Sequence, residues 1–225
     1  MSVKSSAKQI VRRILPEGIT ETLRDVRYQV KTIRLAGLDF RLETPNRRVL
    51  EDSILPAFAA DPRYRRVLFV GCRWYTKIYA AIFRRSEYWT IEIDPAQAKF
   101  GAQNRHIADS YLNLSRHVEP GAFDLIILNG VFGWGIDSPA ETEIALYETL
   151  RALNPGGVAV IGYNDTEDNH PSFLDVPSQA IAMLEPFHFA PLGGSRYVTL
   201  DDPGRHTFEF FRKPIEARPV DDQPG

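Results

Sequence analysis

Short runs of apolar residues, each broken by glycine or an acid, alternate with stretches of helical spacing through the middle of this chain. Val67, Leu68, Phe69 and Val70 form the first run, as expected of a strand buried on both faces of a parallel sheet. Gly71 breaks it. Ile78, Ala81 and Ile82 then fall on one side of a helix predicted over residues 76–85, and a second strand over 88–93 brings Glu92 and Asp94 to its end. A short third strand is expected at 106–108, a fourth at 123–128 (FDLIIL) and a fifth at 158–163. Between the last two, Ser138, Pro139 and Glu141 make a capping box for a helix reaching Leu153, stopped by Asn154-Pro155-Gly156-Gly157. Residues 177–184 read as another helix, and 197–200 and 207–211 as two strands joined by Asp-Asp-Pro-Gly. Strand alternating with helix predicts an α/β fold around a parallel sheet.

Ahead of this block the period changes. Residues 7–15 read as a short helix stopped by Pro16. Ile19, Leu23, Val26, Val30 and Ile33 recur at spacings of four and three, an amphipathic helix ending at Gly37 with a narrow apolar seam. Thr44 is expected to cap a third helix, with Pro45 first and Pro56 bending or ending it. The chain thus divides into a helical N-terminal extension (1–60), an α/β domain (61–214) and a polar, proline-rich tail (215–225) expected to be disordered.

Composition narrows the class. An apolar fraction of 44% with 25% charged residues is ordinary for a soluble globule, and no apolar run approaches the roughly 20 residues a membrane span needs. The N-terminus lacks the apolar core of a signal peptide, and Cys72 is the single cysteine, which excludes an intrachain disulfide or a cysteine metal site. A reducing cytoplasm is therefore expected. Residues 1–36 carry eight Lys or Arg against three acids, although the whole chain is at −2. No aromatics interleave with this modest basic excess, so nucleic acid is not an expected partner. The excess reads as a solvated helix face, or as a weak contact with a protein or an anionic membrane surface.

The chemistry concentrates where strands end. Gly71 and Glu92 have the spacing, about 20 residues, at which a βαβ unit places its turn and its ribose-binding acid. The turn continues Cys72, Arg73, Trp74, Tyr75, and lacks the G-x-G-x-x-G that cradles a pyrophosphate. That disfavours an NAD-linked oxidoreductase and leaves room for a ligand with one ribose and no phosphate; Gly71 alone fits an ordinary βα turn equally well. Asp94 can cap a helix with Pro95 first and Gln97 completing a box, so Glu92 is preferred for the ribose hydroxyls over a merely solvated role.

The first of these stretches resembles the opening motif of class I S-adenosylmethionine (SAM)-dependent methyltransferases, in which a strand leads into G-C-G-x-G. Gly71 and Cys72 match; Arg73 and Tyr75 stand where later glycines would be, and Phe69 where an acid is common. Glu92-Ile93-Asp94-Pro95 resembles the E-x-N-P of catechol-type members, whose glutamate holds the ribose. G-x-F-D-L-I followed by Asn129 resembles the fourth motif, and L-x-P-G-G at 153–157 the stop before the fifth strand. The resemblance implies a doubly wound, mostly parallel seven-stranded sheet with a C-terminal antiparallel hairpin, and N-terminal helices that close over substrate. It implies SAM as cofactor and methyl transfer to a small-molecule acceptor. The cofactor-binding residues it suggests are Gly71, Cys72, Arg73 (toward the methionine carboxylate), Glu92, Asp109 (toward the adenine amino group), Asn129, Phe132 and Trp134. Asp109-Ser110 also fits a simple turn, and Phe132 and Trp134 fit a core as well as a ligand wall. Asn129 and His170 are the candidate catalytic residues, His170 as a general base or else as a surface histidine of the loop NDTEDNHPS. Asn129, Asn164 and Asp165 offer too few carboxylates for a hard cation, so no metal is expected. The rival reading is a methyltransferase-fold binding or scaffolding module whose donor cavity is filled by Arg73, Trp74 and Tyr75.

Overall fold

The computed structural model describes residues 42, 44–167 and 169–215. The helices expected at 7–15 and 19–33, the basic segment that contains them and the tail from 216 lie outside the described residues.

Five parallel strands build most of one sheet: β1 (Arg66–Val70), β2 (Glu87–Ile91), β3 (His106–Ile107), β4 (Phe123–Asn129) and β5 (Leu153–Tyr163). Three more complete it, β6 (Glu185–Pro186), β7 (Arg196–Val198) and β8 (Thr207–Arg212), with β8 antiparallel to β5. The order is β3-β2-β1-β4-β5-β8-β6, and β7 also pairs with β8. Because β6 meets Phe211 and Arg212 while β7 meets residues 207–209, the two share one lane. Eight strands therefore fill the seven lanes expected, and the β7–β8 pair is the expected antiparallel hairpin.

Apolar runs without alternation become central strands because both faces are covered. Leu68, Val70, Ile126 and Leu128 pack on one side with Ala145 and Leu146 of the capped helix (Pro139–Ala152, called α4 below). Val67, Phe69, Leu125 and Ile127 pack on the other with Leu50, Ile54, Leu55, Phe58 and Phe83. Burying each such side chain contributes about 1.5–3 kcal/mol. The strand order reverses between β1 and β4, so the carboxyl ends of these neighbours, Val70 and Asn129, flank the crevice where open α/β sheets bind ligands.

The local differences from expectation have physical causes. Residues 45–60 are helical throughout, as α1 (Pro45–Arg48), a π-helical stretch (Val49–Ile54) and α2 (Leu55–Ala60). Pro56 neither ends nor breaks the path: the widened turn ahead of it, in which Leu55 N–H donates to Leu50 O, absorbs the amide it lacks. Thr44 sits at the N-cap without a capping bond, its hydroxyl turned instead to the Asn46 side chain. The helix predicted over 76–85 contracts to a 3₁₀ turn (Trp74–Thr76) and one turn of α3 (Tyr79–Ile82). Thr76 Oγ1 accepts from Arg73 N–H at 3.0 Å and Thr76 N–H donates to Arg73 O at 3.0 Å, which closes the 3₁₀ turn at the start of the connection. α4 keeps the expected Ser138–Glu141 capping box, and β5 begins directly at Leu153, so the Pro-Gly-Gly stop lies within the strand. A last short helix, α5 (Gln179–Ala182), is capped by Ser178. Among the described residues no helix is long and apolar enough to cross a membrane.

Candidate functional site

The turn after β1 is organised by an acid from β2. Gly71 leaves the strand with φ at +87°, a conformation that suits glycine, and its N–H donates to Ile91 O at 2.9 Å. Cys72 N–H then donates to Glu92 Oε2 at 2.8 Å, while Asp94 N–H donates to Glu92 Oε1 at 3.0 Å. The Glu92 carboxylate, only 8% exposed, thus holds the ends of two neighbouring strands by their backbones. A Cβ on Gly71 would meet only Glu92 Oε2, at 4.0 Å. Arg73 Nη1 lies 3.6 Å from Glu92 Oε2 and donates to Cys72 O at 3.2 Å, which places its charge beside the acid. Burial pushes the Cys72 thiol up to about 11, which keeps it uncharged.

Expectations for Asp94 hold in part. Its side chain accepts from Ala96 N–H at 2.9 Å and so caps a 3₁₀ helix (Pro95–Phe100). Gln97 reaches the Asp94 carboxylate at 3.1 Å and not its N–H, which Glu92 already occupies.

Behind the turn lies a buried cluster that no local pattern announces. Tyr79 donates to Glu51 Oε1 at 2.7 Å and accepts from Arg47 at 3.0 Å. The Arg47 guanidinium also stands 4.6 Å over the Tyr75 ring, and burial raises the Tyr79 hydroxyl above its ordinary pKa. Tyr75 is therefore half-buried against a cation, and Trp74 is buried beside it.

Asn129 ends β4 facing a histidine that immediately precedes β8, with β5 between the two strands. Its Oδ1 lies 3.0 Å from His206 Nε2, and His206 Nδ1 lies 2.7 Å from Asn164 Oδ1. His206 is 2% exposed; burial pulls its pKa down to about 3, and the Arg47 charge acts in the same direction. His206, Arg47 and Tyr79 were not evident from sequence, whose one hint was a histidine opening the apolar strand Thr207–Arg212.

The remaining candidates separate. The Asp109 carboxylate takes His117 Nε2 at 2.7 Å, Asn113 Nδ2 at 3.0 Å and Ser110 N–H at 2.7 Å. These bonds, that from His117 foremost, hold its pKa down to about 2. It thereby braces the 3₁₀ helix (Tyr111–Arg116) that Ser110 caps. Phe132 is fully buried, edge-on to Phe173 at 5.2 Å, whereas Trp134 is 47% exposed. His170 has Nδ1 at 2.9 Å from Asp165 and Nε2 at 3.1 Å from Asp175, and the two carboxylates raise its pKa. Both ring nitrogens of His170 therefore face carboxylates, which favour its protonated form.

No protein-family model matches the chain, and no curated protein matches it. Solved structures do. The N-methyltransferase NodS from Bradyrhizobium japonicum WM9, bound to S-adenosyl-L-homocysteine, has a TM-score of 0.53 at 17% identity, over 83% of this chain and 98% of that one. A TehB-like SAM-dependent methyltransferase from Corynebacterium glutamicum has a TM-score of 0.53 at 21% identity, over 85% and 99%. The [4+2]-cyclase SpnF reaches 0.50 at 15% identity, over 75% and 79%. The strand order, the shared last lane and these likenesses together give this chain the fold of the class I, Rossmann-like methyltransferases.

Proposed function

We propose that this protein is a SAM-dependent methyltransferase acting on a small-molecule acceptor. The observation that carries the reading is Glu92, held at the end of β2 and bonded to the turn after β1 at 2.8 Å, beside the crevice between β1 and β4. Each Glu92 oxygen takes one backbone N–H, and a carboxylate oxygen has a further lone pair to offer a ribose hydroxyl. The cofactor fits this arrangement in that Gly71 itself brings no side chain against Glu92, whose Oε2 would lie 4.0 Å from a Cβ there.

When bound, SAM supplies an electrophilic methyl group. The chain's own residues hold and orient the reactants. Glu92 takes the ribose, the Gly71–Cys72 backbone lies beside it, and Arg73 together with Arg47 provides the positive field for a carboxylate. Asn129 lines the crevice at β4, and Trp134 offers an aromatic face on the acceptor side. On this reading Asp109 acts by bracing its turn and His170 by tying its loop, both at one remove from the reactants.

Calorimetric titration with SAM and with S-adenosylhomocysteine tests the reading, followed by an acceptor screen with labelled methyl donor. Binding of both ligands is expected, and a folded protein that binds neither sinks it. The second reading, a binding or scaffolding module, is favoured by Trp74 and Tyr75, whose bulk is packed into the turn. It predicts no donor binding.

A further inference from the structure

His206 stands between two amides, and an oxygen facing each ring nitrogen is a pattern that a neutral ring cannot satisfy. Asn164 Oδ1 faces Nδ1 at 2.7 Å and Asn129 Oδ1 faces Nε2 at 3.0 Å, so both ring nitrogens meet an oxygen. An imidazolium would serve both oxygens, but none of these partners is a carboxylate and the ring is almost wholly enclosed. The Phe208 ring at 4.7 Å and the Arg47 charge also act on it, and neither stabilises a cation there as an acid would. The ring is neutral, with one N–H and one lone pair. The oxygen and nitrogen of an amide share one outline, so turning a single amide end for end completes the pattern with no heavy atom displaced.

Which amide turns decides what the crevice presents. The shorter contact, to Asn164, suits Nδ1–H donating to an oxygen. The Nε2 lone pair then accepts from Asn129 Nδ2–H, and Asn129 Oδ1 takes the other end of its amide. That end has no hydrogen-bond partner among the described residues and is not sealed from solvent.

Two glycines keep room for this arrangement. A Cβ on Gly162 would come within 2.2 Å of the Asn129 amide and 3.0 Å of His206 Nε2, and one on Gly204 within 2.9 Å of Asn164 Cγ. Neither glycine has the left-handed backbone that would itself call for that residue, so the demand is one of space.

We infer that His206 is a positioning residue which, as its Nδ1–H tautomer, turns the Asn129 amide oxygen toward the crevice. The inference rests on taking that crevice as the methyl-transfer site, and it specifies the acceptor further. An outward oxygen accepts a hydrogen bond, so it orients a nucleophile that brings its own N–H or O–H, an amine or a hydroxyl. A fully substituted nitrogen finds nothing to bond there.

The test is nuclear magnetic resonance of the full chain with isotope-labelled histidine and asparagine side chains. The His206 signal is identified by its absence in His206→Gln or, should that variant not fold, by replacing the other four histidines in turn. The expected result is a neutral Nδ1–H ring that does not titrate between about pH 5 and 8, with a through-hydrogen-bond coupling between Asn129 Nδ2 and His206 Nε2. An Nε2–H ring, or an imidazolium at neutral pH, overturns the inference. Titration with S-adenosylhomocysteine is run beside it. Its failure removes the methyltransferase reading and leaves the tautomer result standing, so the two are judged separately.

Discussion

Glu92 Oε2 accepts the Cys72 N–H at 2.8 Å, so the acid that closes one strand also fixes the turn that leaves its neighbour. Glu92→Ala leaves that N–H and the Asp94 N–H without their acceptor. Stability should fall by about 1–3 kcal/mol for each buried N–H left unpaired, and SAM affinity by about 1.5–3 kcal/mol for the lost charged hydrogen bond. Chemical denaturation and calorimetry separate the two effects. Unchanged affinity in a folded variant would move the ribose to Asp94.

Arg73 has φ at −143°, ordinary extended backbone, so no strain is relieved by placing glycine there. The Arg73→Gly, Tyr75→Gly double variant removes a charge beside Glu92 and the ring over which Arg47 rests. Weaker SAM binding than the parent is expected. A parent that does not bind, with binding gained by the variant, would mean that the natural turn closes the pocket.

His206 makes stability depend on pH in a stated direction. Its folded pKa, about 3, lies below the ordinary 6.5, so between these values the unfolded chain binds more protons. Its contribution is complete above about pH 6.5 and is lost as pH falls toward 3, with a slope of up to about 1.4 kcal/mol per pH unit. His170, whose pKa is raised, acts oppositely: its contribution is present below the ordinary value and is lost as pH rises through the raised one. Unfolding free energies measured between about pH 7 and 5 should fall less steeply in His206→Gln than in the parent. Equal slopes would refute the assignment.

Gly162→Ala should destabilise by about 1–3 kcal/mol, because the new Cβ would press on Asn129 at 2.2 Å in a filled core. Gly194→Ala is the control: its nearest neighbour would be Arg196 O at 3.6 Å, an ordinary contact. Thermal melts of the two variants should differ clearly. Equal losses would show that Asn129 can step aside.

What the sequence revealed follows how far apart the partners lie. Residues 67–70 and 125–128 were legible as central strands because burial on two faces leaves no room for alternation. The pairing of Gly71 with Glu92 was legible in spacing, because a βαβ unit fixes it. His206 was not, since its partners lie 42 and 77 residues away and only the assembled sheet brings them together. Arg47 and Tyr79, 32 residues apart, meet for the same reason. The contracted helix after Tyr75 was not legible either, because Ile78, Ala81 and Ile82 suit one helical turn as well as three.

The sheet ends in fragments on both sides. At one border stands β3, two residues long; at the other stand β6 and β7, two and three residues long, with Pro186 removing a donor from the first. The intervening chain stays bonded to β8 through Phe187 N–H to Phe210 O at 2.8 Å and Phe210 N–H to Ser195 O at 2.9 Å. No described border offers a long row of unpaired amides onto which a second copy could add a strand. A chain rich in aliphatic and aromatic strands is thereby shielded from growing edge to edge into aggregates, and its tendency to self-associate should follow from surface patches and not from its sheet.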